Sequence, residues 1–287
     1  MRRRSVTART GDRLEPCLGF ADLPLPDYGA RVSPRLLVLP VLLGLTACPR
    51  GAELGGTRHH YDDKEAALAR FEEPDRDAWA KPAQVVAELG ITAEMDLADI
   101  GAGSGYFTRR LATEAPKGTT YAIDVDADFK DHIESELEAW QTPNIVTRLA
   151  VYEHPLLPED SVDLVFISNT YSFLQDRVTY FKAVHKALRH NGKLAVIDWR
   201  ADVDCPRATG CPRPKQRIPE AFAREELARA GFTVIERFDF LPYQYFLLLE
   251  RTEDVAEREA KPEPETPEPE TPEPETPEPD ASPQTEP

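Results

Sequence analysis

Positive charge is what this 287-residue chain has too little of: 34 Lys and Arg stand against 51 Asp and Glu, a formal net charge of −17. Nucleic-acid binding needs a basic face that displaces counterions from phosphates, and this composition offers none. No nucleic-acid partner is expected. Cysteine is scarce as well, with four residues, none of them in a C-x-x-C pair. No cluster of His completes a ligand set, so no metal site is expected. Nor is there an apolar run long enough to cross a bilayer. The run from Leu36 to Ala47 is about 12 residues, against the roughly 20 that a spanning helix requires.

What is present is unevenly distributed. Proline reaches 27 residues, most of the excess falling in the last part of the chain as a Pro-Glu-Pro-Glu-Thr repeat. That repeat has no apolar anchor and carries roughly half of the net negative charge, so residues 251–287 are expected to be a disordered acidic tail. At the other end, residues 1–48 read as a disordered leader that closes on the short apolar run. Leu45-Thr46-Ala47-Cys48 resembles the lipobox of bacterial lipoproteins, in which the Cys is lipidated and the preceding peptide removed. This resemblance implies a cell-envelope location with membrane anchoring through Cys48; the alternative is a cytoplasmic protein. Translation from Val32 would put the signal-like run at the start of the chain. Cys205 and Cys211 lie in one Pro-rich loop, either as a small-loop disulfide in an oxidising compartment or as two thiols without a role.

Residues 49–78 are expected to form a tether and an N-terminal helix. The tether ends in His59-His60, two adjacent histidines more commonly solvated than metal-binding. From Asp62 to Leu89 the apolar spacing is helical, and Pro74 and Pro82 divide it, with Pro82 suited to a first helical turn. Residues 79–250 are expected to be the folded domain. Short apolar runs alternate there with amphipathic helices, the pattern of a mostly parallel α/β sheet covered on both faces. Strands are predicted at 96–100, 119–124, 144–149, 162–168, 193–198, 233–238 and 243–249. Helices are predicted near 107–114, 129–140, 176–190 and 219–230, with Asn191-Gly192 as the left-handed stop of the third of these.

The chemistry concentrates in Leu97-Ala-Asp-Ile-Gly-Ala-Gly-Ser-Gly-Tyr-Phe-Thr108. A strand runs into Gly101, Gly103 and Gly105, and a helix follows at once. Glycines there allow a tight turn and a close backbone approach to a ligand beside a helix N-terminus. An acidic residue, Asp124, follows about 20 positions on at the end of the next strand, where it can accept hydrogen bonds from both ribose hydroxyls of an adenosine-containing cofactor. The third glycine comes one position earlier than in dinucleotide-binding turns. Asp99 beside the turn would repel a pyrophosphate and suits a cationic group instead. Asp99 could alternatively tie together the turn's own N–H groups. Asp126 is expected to cap a loop or helix.

Asp99-Ile-Gly-Ala-Gly-Ser-Gly105, Ile123-Asp124, Ser161-Val-Asp-Leu-Val165, Asn191-Gly-Lys-Leu194 and Glu225-Glu-Leu-Ala-Arg-Ala-Gly-Phe232 together resemble the successive motifs of class I S-adenosylmethionine (SAM)-dependent methyltransferases. The resemblance spans about 170 residues, with the motifs in order. It implies a Rossmann-like seven-stranded sheet, six strands parallel and one antiparallel, with SAM as the cofactor across the strand C-termini. The cofactor-binding residues it implies are Asp99, Gly101, Gly103, Gly105, Asp124 and, after the third and fourth strands, Tyr152, Glu153 and Asn169. Where related chains place an Asp for the adenine amino group, this one has Val151-Tyr152-Glu153. Asn169-Thr-Tyr-Ser-Phe173 is not the Asn-Pro-Pro-Tyr type found in many amino-group methyltransferases. The expected acceptor is therefore a small molecule or lipid-like compound, methylated at oxygen or carbon. Trp199 and Arg200 are candidates to shape its pocket. Asn169, Tyr171, His154 and Asp198 fall near the expected pocket mouth, and none stands out as a general base. A catalytically inactive SAM-fold binding module at the envelope is the competing reading.

Overall fold

The computed structural model describes residues 61–260. Cys48, His59, His60 and the repeat from Lys261 onward lie outside the described residues. Seven strands form one sheet: β1 (Leu97–Ile100), β2 (Thr120–Asp124), β3 (Ile145–Leu149), β4 (Val162–Ser168), β5 (Leu188–Trp199), β6 (Phe232–Phe238) and β7 (Gln244–Arg251). Their spatial order is β3-β2-β1-β4-β5-β7-β6. Strands β1 to β5 pair in parallel, and β7 runs antiparallel to both neighbours, so six strands share one direction. The predicted sheet, with its single reversed strand, is the one observed.

Alternation along the strands sends side chains to two separate cores. On one face, Ile100, Val165, Ile167 and Val196 meet Phe181 and Val184 of α6 (Arg177–Ala187) and Leu227 of α7 (Glu220–Arg229). On the other, Leu97, Leu164, Phe166 and Ile197 meet Val85 and Val86 of α3 (Pro82–Glu88) and Leu111 of α4 (Thr108–Glu114). The central strands are buried on both faces, which is why they read as continuous apolar runs. Ile133 of α5 (Ala127–Trp140) fills a third cluster over β2 and β3 with Ala122 and Ile145. Pro82 stands in the first turn of α3, and Asp126 caps α5 by accepting from the Asp128 N–H at 3.1 Å.

Three expectations are corrected. The helix predicted to run to His190 ends at Ala187, and Asn191-Gly192 is not its cap. Leu188 already pairs with Val162, while Arg189 binds Asp163 at 2.7 Å and Asp96 at 2.8 Å at the strand starts, which draws the chain out of the helix. Asn191 does adopt a left-handed φ of 59°, but inside β5. Residues 251–260, expected to open the disordered tail, are ordered elements instead: β7 continues through Arg251, and α8 (Thr252–Ala260) follows it. Asp254 secures that helix by accepting from the Asn191 N–H at 2.9 Å and pairing with Arg251 at 2.8 Å. Finally, the N-terminal segment is not merely a tether and helix outside a domain that starts at 79. Helices α1 (Lys64–Phe71) and α2 (Arg76–Ala80) dock on the glycine-rich turn, as described next. No helix among the described residues is long and apolar enough to cross a membrane.

Candidate functional site

Strand order reverses between β1 and β4, so the loops leaving those strands diverge and open a crevice at their carboxyl ends. Register sets what faces that crevice. Ile100 pairs with Ile123 on one side and Ile167 on the other, so Gly101, Asp124 and Ser168 emerge at the same level. A cavity of about 550 Å³ lies there, within the size range of small-molecule sites. Gly101, Gly103, Asp124, Tyr152 and Asn169 all border it.

The glycine-rich turn is held from beneath. The N–H groups of Gly101 and Ala102 donate to the Ile123 carbonyl at 2.8 and 3.1 Å, and the Gly103 N–H donates to the Asp124 carboxylate at 2.9 Å. Gly101 has φ of 77°, and a Cβ there would sit 2.1 Å from Thr170 Oγ1, so a side chain is barred by backbone conformation and by the β4 loop. The Asp124 carboxylate also accepts from the Asp126 N–H at 3.0 Å. A carboxylate has about four lone-pair positions, so acceptor capacity remains beyond these bonds. Burial pushes its pKa up to about 6, against the pull of the Gly103 and Val125 backbone donors and of Lys64.

Asp99, Gly105 and Glu153 are not in the cavity wall. Asp99 is buried behind the turn and accepts from Thr108 Oγ1 at 2.6 Å. It therefore ties the first residue of α4 to β1. Burial raises its pKa to about 7, with the Thr108 hydrogen bond opposing and the Asp124 charge adding to the rise. Gly105 faces α5: a Cβ would stand 2.5 Å from the Trp140 ring. Glu153 is exposed in the turn bridged by Val151 and His154. Asn169 borders the cavity with φ of 57°, and its Oδ1 accepts from Gln244 Nε2 at 2.7 Å.

Among the base candidates, Asp198 is fully buried and accepts from the Ser172 and Trp199 N–H groups at 2.7 and 2.6 Å. Burial places its pKa at about 6, opposed chiefly by those two bonds. The Tyr171 hydroxyl donates to Glu226 at 2.8 Å in a buried cluster with Arg177. His154 is exposed, its Nδ1 accepting from the Leu156 N–H at 2.9 Å. None of these three borders the cavity. Trp199 does, packed against Trp79 at 5.2 Å between centroids, whereas Arg200 pairs with Asp202 at 3.0 Å outside it.

Sequence reading missed a whole side of the site. Tyr61, Arg70, Phe71 and Arg76 line the cavity, brought there because α1 is fastened to the turn. Glu72 accepts from Ser104 Oγ at 2.6 Å and from both terminal nitrogens of Arg109 at 3.0 and 2.7 Å. Lys64 pairs with Asp126, and Asp63 caps α1. Tyr61, Phe71 and Phe129 form a ring cluster with centroids 5.4 to 5.7 Å apart. The spacing of Tyr61, Phe71 and Trp79 was the available signal. The other missed wall is the loop after β5, where Cys205 and Cys211 form a disulfide with Cα atoms 6.3 Å apart. Thr209, Gly210 and Arg213 of this loop also border the cavity.

Residues 98–194 match a family described as a methyltransferase domain. A 110-residue stretch is 27% identical to an uncharacterized methyltransferase of Schizosaccharomyces pombe, covering 38% of this chain and 41% of that protein. The chain thus matches about two fifths of that relative's length. Among solved structures, a SAM-dependent methyltransferase from Aquifex aeolicus superposes with a TM-score of 0.61 at 22% identity, over 66% of this chain and 98% of that one. A chain of the Haloferax volcanii complex of the Trm112 activator with a methyltransferase gives 0.55 at 14% identity, over 67% and 99%. At these identities the structural likeness speaks to the fold.

Proposed function

We propose, from the match of residues 98–194 to a methyltransferase domain, that this protein moves the methyl group of SAM to a small-molecule or lipid-like acceptor at oxygen or carbon. The observation that carries this reading is the Gly101–Gly103 turn bound to Asp124 at the switch point of the sheet, opening on a cavity of about 550 Å³. The residues present fit the donor. Gly101 and Gly103 leave the backbone bare on the cavity side, and Asp124 retains acceptor capacity for ribose hydroxyls. Tyr152 and Asn169 flank the same space. SAM, when bound, supplies a methyl group on a positively charged sulfur that needs no further activation.

The task left to the chain is to align the acceptor and keep water away. Phe71, Phe129, Phe173 and Leu174 give the wall its apolar area. No wall residue is assigned as the base: the Asp124 carboxylate holds the turn, and burial drives the Tyr180 phenol pKa far above neutrality, with the Asp124 charge adding to the rise. The acceptor atom must therefore arrive ionised or already nucleophilic, which suits phenolate and enolate oxygens or carbons. Incubating the full chain with methyl-labelled SAM and panels of phenols, acids and quinones tests this. Label transfer to one class is expected; tight SAM binding with no transfer to any acceptor would instead favour the inactive binding module. Anchoring through a lipidated Cys48 is a separate proposal, tested by metabolic labelling with a fatty acid.

A further inference from the structure

Part of the cavity wall is cationic and aromatic. Arg70, Arg76 and Arg213 border it, and none of the three is in an ion pair among the described residues. Arg109, Arg110, Arg177, Arg189, Arg237 and Arg251 are all paired with carboxylates. Arg76 is the sharpest case. Its Nη1 donates to the Phe71 carbonyl at 2.7 Å, and its guanidinium lies 3.8 Å from the Tyr106 ring centroid. Its Nε is buried with no hydrogen-bond partner. Burial lowers its pKa to about 10, with Tyr106 and Glu72 opposing and the Arg110 charge adding to the fall, so it stays charged at neutral pH. A buried N–H donor such as this Nε normally has a hydrogen-bond partner.

The other two cations complete one side. A Cβ at Gly210 would lie 3.3 Å from Arg70 Cδ, so α1 and the disulfide loop meet there, and Arg213 follows three residues later on the same loop. Trp79 and Trp199, packed against each other with their planes tilted by 36°, add aromatic surface to this wall.

We propose that the acceptor is a small molecule with an anionic oxygen group, a carboxylate or a phosphate, received by Arg76 together with Arg70 and Arg213, and a flat apolar body that lies against Trp79 and Trp199. Calling this ligand the acceptor rests on the methyl-transfer reading. The methionine part of SAM has one carboxylate, which three guanidinium groups exceed.

The test is calorimetric titration of the full chain, with and without saturating S-adenosylhomocysteine, using 4-hydroxybenzoate, phenyl phosphate and the neutral 4-hydroxybenzamide. The charged probe of the correct class is expected to bind at least about 10-fold more tightly than the amide, the worth of one charge-assisted hydrogen bond. The preferred probe separates carboxylate from phosphate. Arg76→Gln should reduce the preference to roughly 2-fold or less while leaving affinity for S-adenosylhomocysteine within about 3-fold. Arg70→Gln and Arg213→Gln, nearer the surface, should each weaken it about 3-fold and serve if Arg76→Gln does not fold. Equal binding of the acid, the phosphate and the amide overturns the proposal. So does an Arg76→Gln variant that loses S-adenosylhomocysteine but keeps the charge preference, because Arg76 would then serve the donor. Failure of S-adenosylhomocysteine to bind, with the charge preference intact, would overturn the methyl-transfer reading and leave the anion site standing.

Discussion

The two sides of the cavity are built on different principles. Around Gly101 and Asp124 the wall is backbone: neighbouring parallel strands end level, and one turn is fixed by N–H groups bonded to Ile123 and Asp124. Around Trp79 and Arg213 the wall is side chain, contributed by α1, α2, the end of β5 and a disulfide-closed loop far apart in sequence. Backbone constraints leave local marks, because only glycine tolerates the conformation and close approach they impose. Convergent side chains leave none, because any of many residues could fill each place. The first side is suited to a shared cofactor, the second to a particular acceptor.

Breaking the first side should have the largest consequence. Gly101→Val places a branched side chain at φ of 77° and against Thr170, and is expected to destabilise the fold by about 4 kcal/mol or more, measured by urea denaturation. Gly210→Ala, at φ of 73° on the other side, meets only the flexible stem of Arg70 and should cost about 1 kcal/mol. Similar losses at the two glycines would erase the distinction.

Next in size is the buried carboxylate behind the turn. The pKa of Asp99 is raised from 3.8 to about 7 in the folded state, so its favourable protonated contribution is fully present below about pH 4 and is lost as pH rises through 7. Asp99→Asn removes that dependence while keeping an acceptor for Thr108. The variant should gain stability relative to the parent between pH 4 and 8, with roughly 4 kcal/mol as the upper bound. A pH-independent difference in urea denaturation would remove Asp99 from this role. Opening the second side should matter less for stability: Cys205→Ser with Cys211→Ser is expected to lose about 2 kcal/mol, the entropy of a short closed loop, and to weaken probes at Trp199 while sparing S-adenosylhomocysteine. Smallest is the pH effect on the cofactor side. If ionised Asp124, with pKa about 6, receives the ribose, affinity for S-adenosylhomocysteine should fall about 10-fold from pH 7 to pH 5.

How much could be read from sequence follows the same division. Strand β4 was predicted over its observed span, 162–168, because it is buried on both faces and framed by polar residues. Gly101, Gly103 and Asp124 border the cavity, whereas Gly105 serves Trp140 and Asp99 serves Thr108. The motif identifies a turn, but not which of its members face outward. The end of α6 was misplaced because the ion pairs of Arg189 with Asp96 and Asp163 are long-range. The same holds for α1, whose role depends on Glu72 meeting Ser104 and Arg109, more than 30 positions away.

The most direct test of the account is titration of the full chain with S-adenosylhomocysteine beside its Asp124→Ala and Asp198→Ala variants, with folding checked for each. The account predicts micromolar binding by the parent, a loss of about 100-fold or more in Asp124→Ala, and affinity within a few-fold of the parent in any Asp198→Ala protein that folds. Equal binding by the parent and Asp124→Ala would contradict it, because the cavity would then hold its cofactor without the carboxylate on which the glycine-rich turn is fixed.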